Sequence, residues 1–320
     1  MPDIDQKVKQ NKKVGYNTRN IPTKRFLKNN HYFALMKTSF APLLLMIFFY
    51  SHSSAQEANV QQGEFGITVG VAHYFGDLNT RAALNRPKPA LGIFFKKQFN
   101  NYLGIRLSAH YAQLGYSDIY DKNDYQKRRN LSFNTEIFEI AAQGDFNFFK
   151  FVPGDPYYSF TPYITLGIGA FSYNPYAYLN DQKVYLRPLG TEGQNINYTD
   201  PVTGITRSPY GSVAVCFPIG AGLKYNLSDN VNFSLQIVHR LTLTDYLDDV
   251  STTYVGIDKF PVLNGQPSTA GILQDRSFET GVPIGVEGRQ RGYSKQKDQY
   301  IMAEVGISFS ISTYKCPSAD

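Results

Sequence analysis

The chain has 320 residues, with 32 Lys+Arg against 26 Asp+Glu, 15% aromatic residues, no tryptophan and two cysteines. Nine of the basic residues and only two acidic ones, Asp3 and Asp5, fall within 1–55, so the rest carries 23 against 24, a net of −1. The basic balance therefore belongs to the leader and gives no argument for nucleic-acid binding.

Residues 1–35 are polar and basic without apolar periodicity, and read as an over-extended start or a disordered extension before Met36. Residues 36–55 have the build of a secretory signal peptide: Lys37 is the positive end, Ala41 to Tyr50 the apolar middle, and Ser53-Ser54-Ala55 the small-residue cleavage site. The apolar run is short of the ~20 residues of a membrane-spanning helix. Cleavage after Ala55 leaves Gln56 at the new terminus, and no cysteine stands there to carry a lipid. A genuine cytoplasmic extension would instead turn the run into a signal anchor. Residues 56–62 form a short periplasmic lead, and 63–314 a barrel followed by a tail, 315–320.

Beyond the signal no stretch approaches 18 consecutive apolar residues, and apolar side chains recur with period two. Phe65, Ile67, Val69 and Val71 alternate with Gly66, Thr68 and Gly70. Leu91, Ile93 and Phe95 make a second strand, and Leu103, Ile105, Leu107, Ala109 and Tyr111 a third, set against Arg106, Ser108 and His110. Phe138, Ile140 and Ala142 oppose Glu139, Gln143 and Asp145, while Ile164, Leu166 and Ile168 oppose Thr165 and Gly167. Strands built on Phe217–Tyr225, Val231–Ile237 and Ile301–Phe309 complete a set of eight, with Lys224, Gln236 and Glu304 on their second faces. Short connections near 98–101, 150–158 and 227–230 alternate with long ones near 76–89, 112–132, 174–211 and 242–299. Asn100-Asn101 and Ser228-Asp229-Asn230 suit tight turns, because Asn tolerates positive φ.

This pattern predicts an all-β fold: a closed antiparallel transmembrane β-barrel of about eight strands, with long outer loops and short periplasmic turns. Both termini then lie in the periplasm of a cell with an outer membrane. Tyr74, Phe75, Tyr102, Tyr111, Phe148, Phe149, Tyr163, Tyr225 and Tyr300, near strand ends, are candidates for interfacial girdles. The charges Arg106, Glu139, Asp145, Lys224, Arg240 and Glu304 are expected in the lumen, neutralising one another in a dry plug rather than forming an ion pathway. Cys216 is expected to face inward as a small buried residue, too far from Cys316 for a disulfide. Asp245, Asp248 and Asp249 read as a solvated loop face, with calcium as the alternative, and Lys127-Arg128-Arg129 as a basic rim at the membrane surface.

No catalytic constellation emerges. His73 and His239 share outward parity while His110 points inward, and no Cys/His spacing suggests zinc. The chain is expected to be non-enzymatic and to need no cofactor.

The segment Gly70-Val-Ala-His-Tyr-Phe-Gly-Asp-Leu-Asn79, then Arg129-Asn-Leu-Ser-Phe133, Ile137-Phe-Glu-Ile140 and Asp145-Phe-Asn-Phe-Phe149, stand in a recognisable order. With the long third and fourth loops they resemble the PorG-like outer-membrane β-barrels of the Bacteroidota type IX secretion system, over about residues 63–316. The resemblance implies an accessory assembly role beside the periplasmic ring of PorK and PorN. Lone in an oxidising periplasm, Cys316 is then a candidate for contact or a disulfide with such a partner. Two other readings stay open: a generic barrel acting as adhesin, receptor or envelope tether, and a small outer-membrane lipid-modifying enzyme or protease.

Overall fold

The computed structural model describes residues 63–311. The Ala55–Gln56 junction and Cys316 lie outside the described residues.

The strands form where large apolar residues alternate with small or polar ones, since period two sends the two sets to opposite faces. In chain order they are β1 (Gly63–Phe75), β2 (Lys88–Gln98), β3 (Leu103–Ser117), β4 (Ser132–Asn147), β5 (Phe160–Ser172), β6 (Tyr176–Leu179), β7 (Gln182–Tyr185), β8 (Val213–Ser228), β9 (Val231–Thr242), β10 (Val262–Leu263), β11 (Gln266–Pro267) and β12 (Gln299–Ile311). Eight of them, β1 to β5 with β8, β9 and β12, are 11–16 residues long, enough for a tilted membrane crossing.

These eight close on themselves. β1 pairs antiparallel with both β2 and β12, and β3 with both β2 and β4, so no edge is left unpaired. In β1, Phe65, Ile67, Val69 and Val71 are 43–52% exposed while Glu64 and Thr68 are buried, which puts the apolar set outside and the polar set in the lumen. Ile93, Ile105, Leu107, Ile140, Leu166, Leu235, Ile237 and Ile307 continue the outer belt around the barrel. A belt of that extent far exceeds the roughly 300–600 Å² patch of a soluble monomer, and the closed sheet satisfies its backbone without water. The chain is a transmembrane β-barrel.

Inside, close packing sets side-chain size. A Cβ on Gly92 would lie 2.4 Å from the His110 ring, so glycine there makes room for the imidazole.

The connections 99–102, 148–159 and 229–230 lie at the barrel end that holds the first and last strand termini. The long segments 76–87, 118–131, 173–212 and 243–298 lie at the other end. The turn at Asn100 corrects the sequence reading. Among the described residues neither Asn100, Asn101 nor Asn230 has positive φ. Instead the Asn100 side chain accepts from the amides of Tyr102 (2.9 Å) and Leu103 (2.8 Å), an Asx-type turn. Positive φ is used in the long loops: Asn180-Asp181 joins β6 to β7, and Asn264-Gly265 joins β10 to β11.

The girdle also needs correction. Tyr102, Phe148, Phe149 and Tyr225 are exposed on the outer wall, but Tyr74, Tyr163 and Tyr300 are buried inside. Their sequence parity matches Gly66, Thr165 and Glu304 on the same strands, and parity outweighs nearness to a strand end.

Candidate functional site

The lumen is built by the inward face of all eight strands. Four cations, Lys96, Arg106, Lys224 and Arg240, face four carboxylates, Glu64, Glu139, Asp145 and Glu304, and each is at most 5% exposed. Lys224 pairs with Glu64 at the end bearing the short turns, where Ser308 also donates to Glu64. Above them Asp145 takes Lys96 (3.1 Å) and Arg106 (3.1 Å), while Arg106 also donates to Thr165 (3.0 Å) and Gln236 (2.8 Å). Glu304 accepts from Thr68 (2.8 Å) and Gln236 (2.9 Å). His110 bridges the next layer, 3.5 Å from Glu304 and 3.4 Å from Glu139. Glu139 is the hub: Arg240 lies at 3.3 Å, and the Tyr300 hydroxyl donates at 2.5 Å. Cys216, fully buried, lies 3.8 Å from the same carboxylate.

All six charges named from the sequence thus stand in one stack, joined by three that the alternation did not single out. Lys96 sits in a Lys-Lys pair where either could face in, Glu64 is the second residue of β1, and His110, inward by parity, is not an Asp, Glu, Lys or Arg. Cross-strand register would have found the first two, since Lys96 lies opposite both Glu64 and Arg106.

The long loops close the mouth. Leu78, Leu114, Phe133, Ile137, Leu247 and Leu273 form an apolar layer over the stack. Buried ion pairs tie the loops together. Arg129 grips Asp118 at 2.7 Å and donates to the backbone carbonyls of Asp77 (2.9 Å) and Arg291 (2.5 Å), joining three loops. Arg291 binds Glu192 at 3.0 Å, and Glu192 accepts from the amides of Ser251 and Thr252. The Gly76-Asp77-Leu78-Asn79 turn is one of these knots. A Cβ on Gly76 would lie 2.0 Å from the Asp298 carboxylate and 2.1 Å from the Tyr74 hydroxyl. Asp77 accepts from the Tyr293 amide at 3.0 Å, and Asn79 donates to the Tyr74 carbonyl at 2.9 Å. The two segments Gly76–Asn79 and Arg129–Phe133 therefore meet in the cap.

Two sequence readings change here. Arg129 is not a surface rim residue: it is buried, Arg128 donates to Thr280 at 3.0 Å, and only Lys127 is exposed. Asp245, Asp248 and Asp249 are not a solvated face either. All are buried, folded inward beside Asp77 and Asp298 because Tyr74 donates to Asp248 (2.5 Å) and Asp298 (3.2 Å), and Thr191 and Tyr210 donate to Asp249. Burial, with repulsion from Glu192, pushes Asp77 up to about 6, and burial pushes Asp245 up to about 7 and Asp249 up to about 6. Asp248 and Asp298 rise well above the usual carboxylate range for the same reasons. Among the described residues no group of three or more His, Cys, Asp or Glu is arranged to hold a metal ion.

An eight-stranded barrel has an interior just filled by side chains. With this charge stack and the cap above it, the protein is expected to give no large stable channels in planar bilayers. Steady open conductance in the nanosiemens range, on the order of a wide aqueous pore, would contradict the packed lumen.

A family model described as a domain of unknown function (DUF6089) matches residues 41–187. No curated protein sequence matches the chain. Among solved structures, it is similar to Neisserial surface protein A at 8% identity, covering 78% of this chain and 97% of that one, with a TM-score of 0.38. The N-terminal barrel domain of Pseudomonas aeruginosa OprF matches at 12% identity, 78% and 98% coverage and a TM-score of 0.32. Ail, the attachment invasion locus protein of Yersinia pestis, matches at 10% identity, 78% and 99% coverage and a TM-score of 0.34. These are similarities of chain path; the barrel itself rests on the strand pairing and burial described above.

Proposed function

We propose that this protein is a non-enzymatic outer-membrane component of type IX protein secretion that anchors or positions the periplasmic ring of PorK and PorN. The observation that carries this reading is the filled lumen under a tied cap: such a barrel offers rigid surfaces at its two ends and no passage for a cargo protein. In this reading the short-turn end and both termini face the periplasm, and the long loops face outward. The order of the Gly76–Asn79 and Arg129–Phe133 segments supports the family likeness, and the two segments meet in the cap. The second reading, an adhesin, receptor or envelope tether, is favoured by the amount of ordered loop at the outer end.

Affinity capture from membranes of the native host separates the two. The secretion role predicts co-purification of both ring proteins and loss of cargo export on deletion. Normal export from the deletion strain would remove the role. A Cys316→Ser variant adds a check on the tail: if Cys316 bonds a ring protein, non-reducing gels show a higher-mass band that the variant lacks. Identical mobility of wild type and variant would remove the bond.

A further inference from the structure

One feature of the outer wall is used neither by the lumen nor by the proposed role. On the outward face, Ile93, Ala109, Ile140 and Ala170 stand in one cross-strand row over β2 to β5. The two alanines are short where their neighbours are long, and Leu91, Tyr111 and Phe138 rise beside them. The result is an apolar groove of about 660 Å³ in the belt.

The groove does not end in the belt. Phe138 and Ser172, opposite each other in the β4–β5 register, line both it and a second hollow of about 250 Å³ towards the long loops. That upper hollow is polar, cationic and aromatic. The Lys183 ammonium stands 3.8 Å over the Tyr176 ring and 5.0 Å from that of Tyr185, held by the β6–β7 hairpin. Arg187 lines it with a buried Nε that has no hydrogen-bond partner, and Asn174 with a buried Oδ1 in the same condition. Glu136 is the one carboxylate on the rim, against the two cations.

An apolar cleft continuous with a cationic pocket at the membrane boundary fits one kind of occupant. We propose that this groove seats a single membrane lipid with a phosphorylated headgroup. An acyl chain lies along the alanine floor, and the phosphate sits between Lys183 and Arg187. The Lys183 ammonium and the Arg187 guanidinium donate to it. Bulk lipid would fill the lower cleft alone. The two cations at its upper end are what favours a phosphorylated lipid over bulk lipid. The inference needs only the membrane-embedded barrel and is independent of any secretion role.

The test is native mass spectrometry of the full purified protein released from detergent micelles. The probes are diphosphorylated lipid A, its dephosphorylated form, and the acyl-free glucosamine phosphate. The expected result is one diphosphorylated lipid retained per barrel. Retention should fall at least about tenfold in Lys183→Glu/Arg187→Glu, and similarly in Ala170→Phe, which fills the floor. Equal retention by these variants would overturn the proposal, as would equal binding of the dephosphorylated lipid or the acyl-free sugar phosphate. Lys183 lies on the β6–β7 hairpin and Arg187 two residues beyond it, both outside the eight barrel strands, so this pair decides the question even if Ala170→Phe does not fold.

Discussion

Replacing Glu139 with alanine is expected to destabilise the barrel by about 3–5 kcal/mol, the cost of leaving a buried charge without its partner. Glu139 is fully enclosed and receives Arg240, Tyr300 and Cys216, with His110 at 3.4 Å. Its removal strands Arg240, which is 1% exposed and whose remaining protein bond is a 2.9 Å donation to the Val238 carbonyl. No water reservoir replaces the lost carboxylate, because the apolar layer of the cap lies above. Urea unfolding of the micelle-embedded protein, followed by heat-modifiable gel mobility, measures the loss. Glu139→Ala combined with Arg240→Met should recover most of it, since the pair is then replaced by apolar volume. A Glu139→Ala barrel as stable as wild type would mean that Arg240 finds solvent in the lumen, against the packed interior described above.

The cap is expected to loosen as pH rises from 5 to 8 while the barrel wall holds. Asp77 and Asp249 are pushed up to about 6 and Asp245 up to about 7, above their value of 3.8 in an open loop. The folded cap therefore keeps protons that unfolded loops would release. For such groups the stabilising contribution is complete at low pH and is lost as pH climbs through the folded values, here about 6 to 7. Amide hydrogen exchange over residues 243–298 should quicken by roughly tenfold or more across that window, after correction for the intrinsic pH effect. Exchange in the middle of β9 and β12 should not change. Asp245→Asn should flatten the response: it removes the acid whose Oδ1 has no hydrogen-bond partner, while Ser251 can still donate to the remaining oxygen. A cap whose exchange is independent of pH, or slows above pH 7, would show that these carboxylates are ionised and matched in the folded state.

Much of the wall was legible because one rule governs it. Membrane on one side and a narrow lumen on the other force a strict period of two, so Arg106, Glu139, Asp145, Lys224, Arg240 and Glu304 have inward parity by counting alone. The same count places Tyr74, Tyr163 and Tyr300 inward, yet their nearness to strand ends suggested a girdle. The loops follow no such rule. Asp248 looks solvated in a polar stretch, and its burial depends on Tyr74, 174 positions away in the chain. Arg129 looks like part of a basic run, and its burial depends on Asp118 and on the backbone of Asp77 and Arg291. Period and composition carry no information about such contacts, which is why the barrel could be read from the chain and its cap could not.

All of this depends on lipid, not water, covering the side of the sheet that bears Phe65, Ile67, Val69 and Val71. The most direct measurement is the state of the purified polypeptide with detergent withdrawn, together with its far-ultraviolet circular dichroism in micelles. The account predicts a β-rich spectrum in micelles and aggregation on detergent removal. A monomer that stays dissolved without detergent, or a largely helical spectrum, would contradict it.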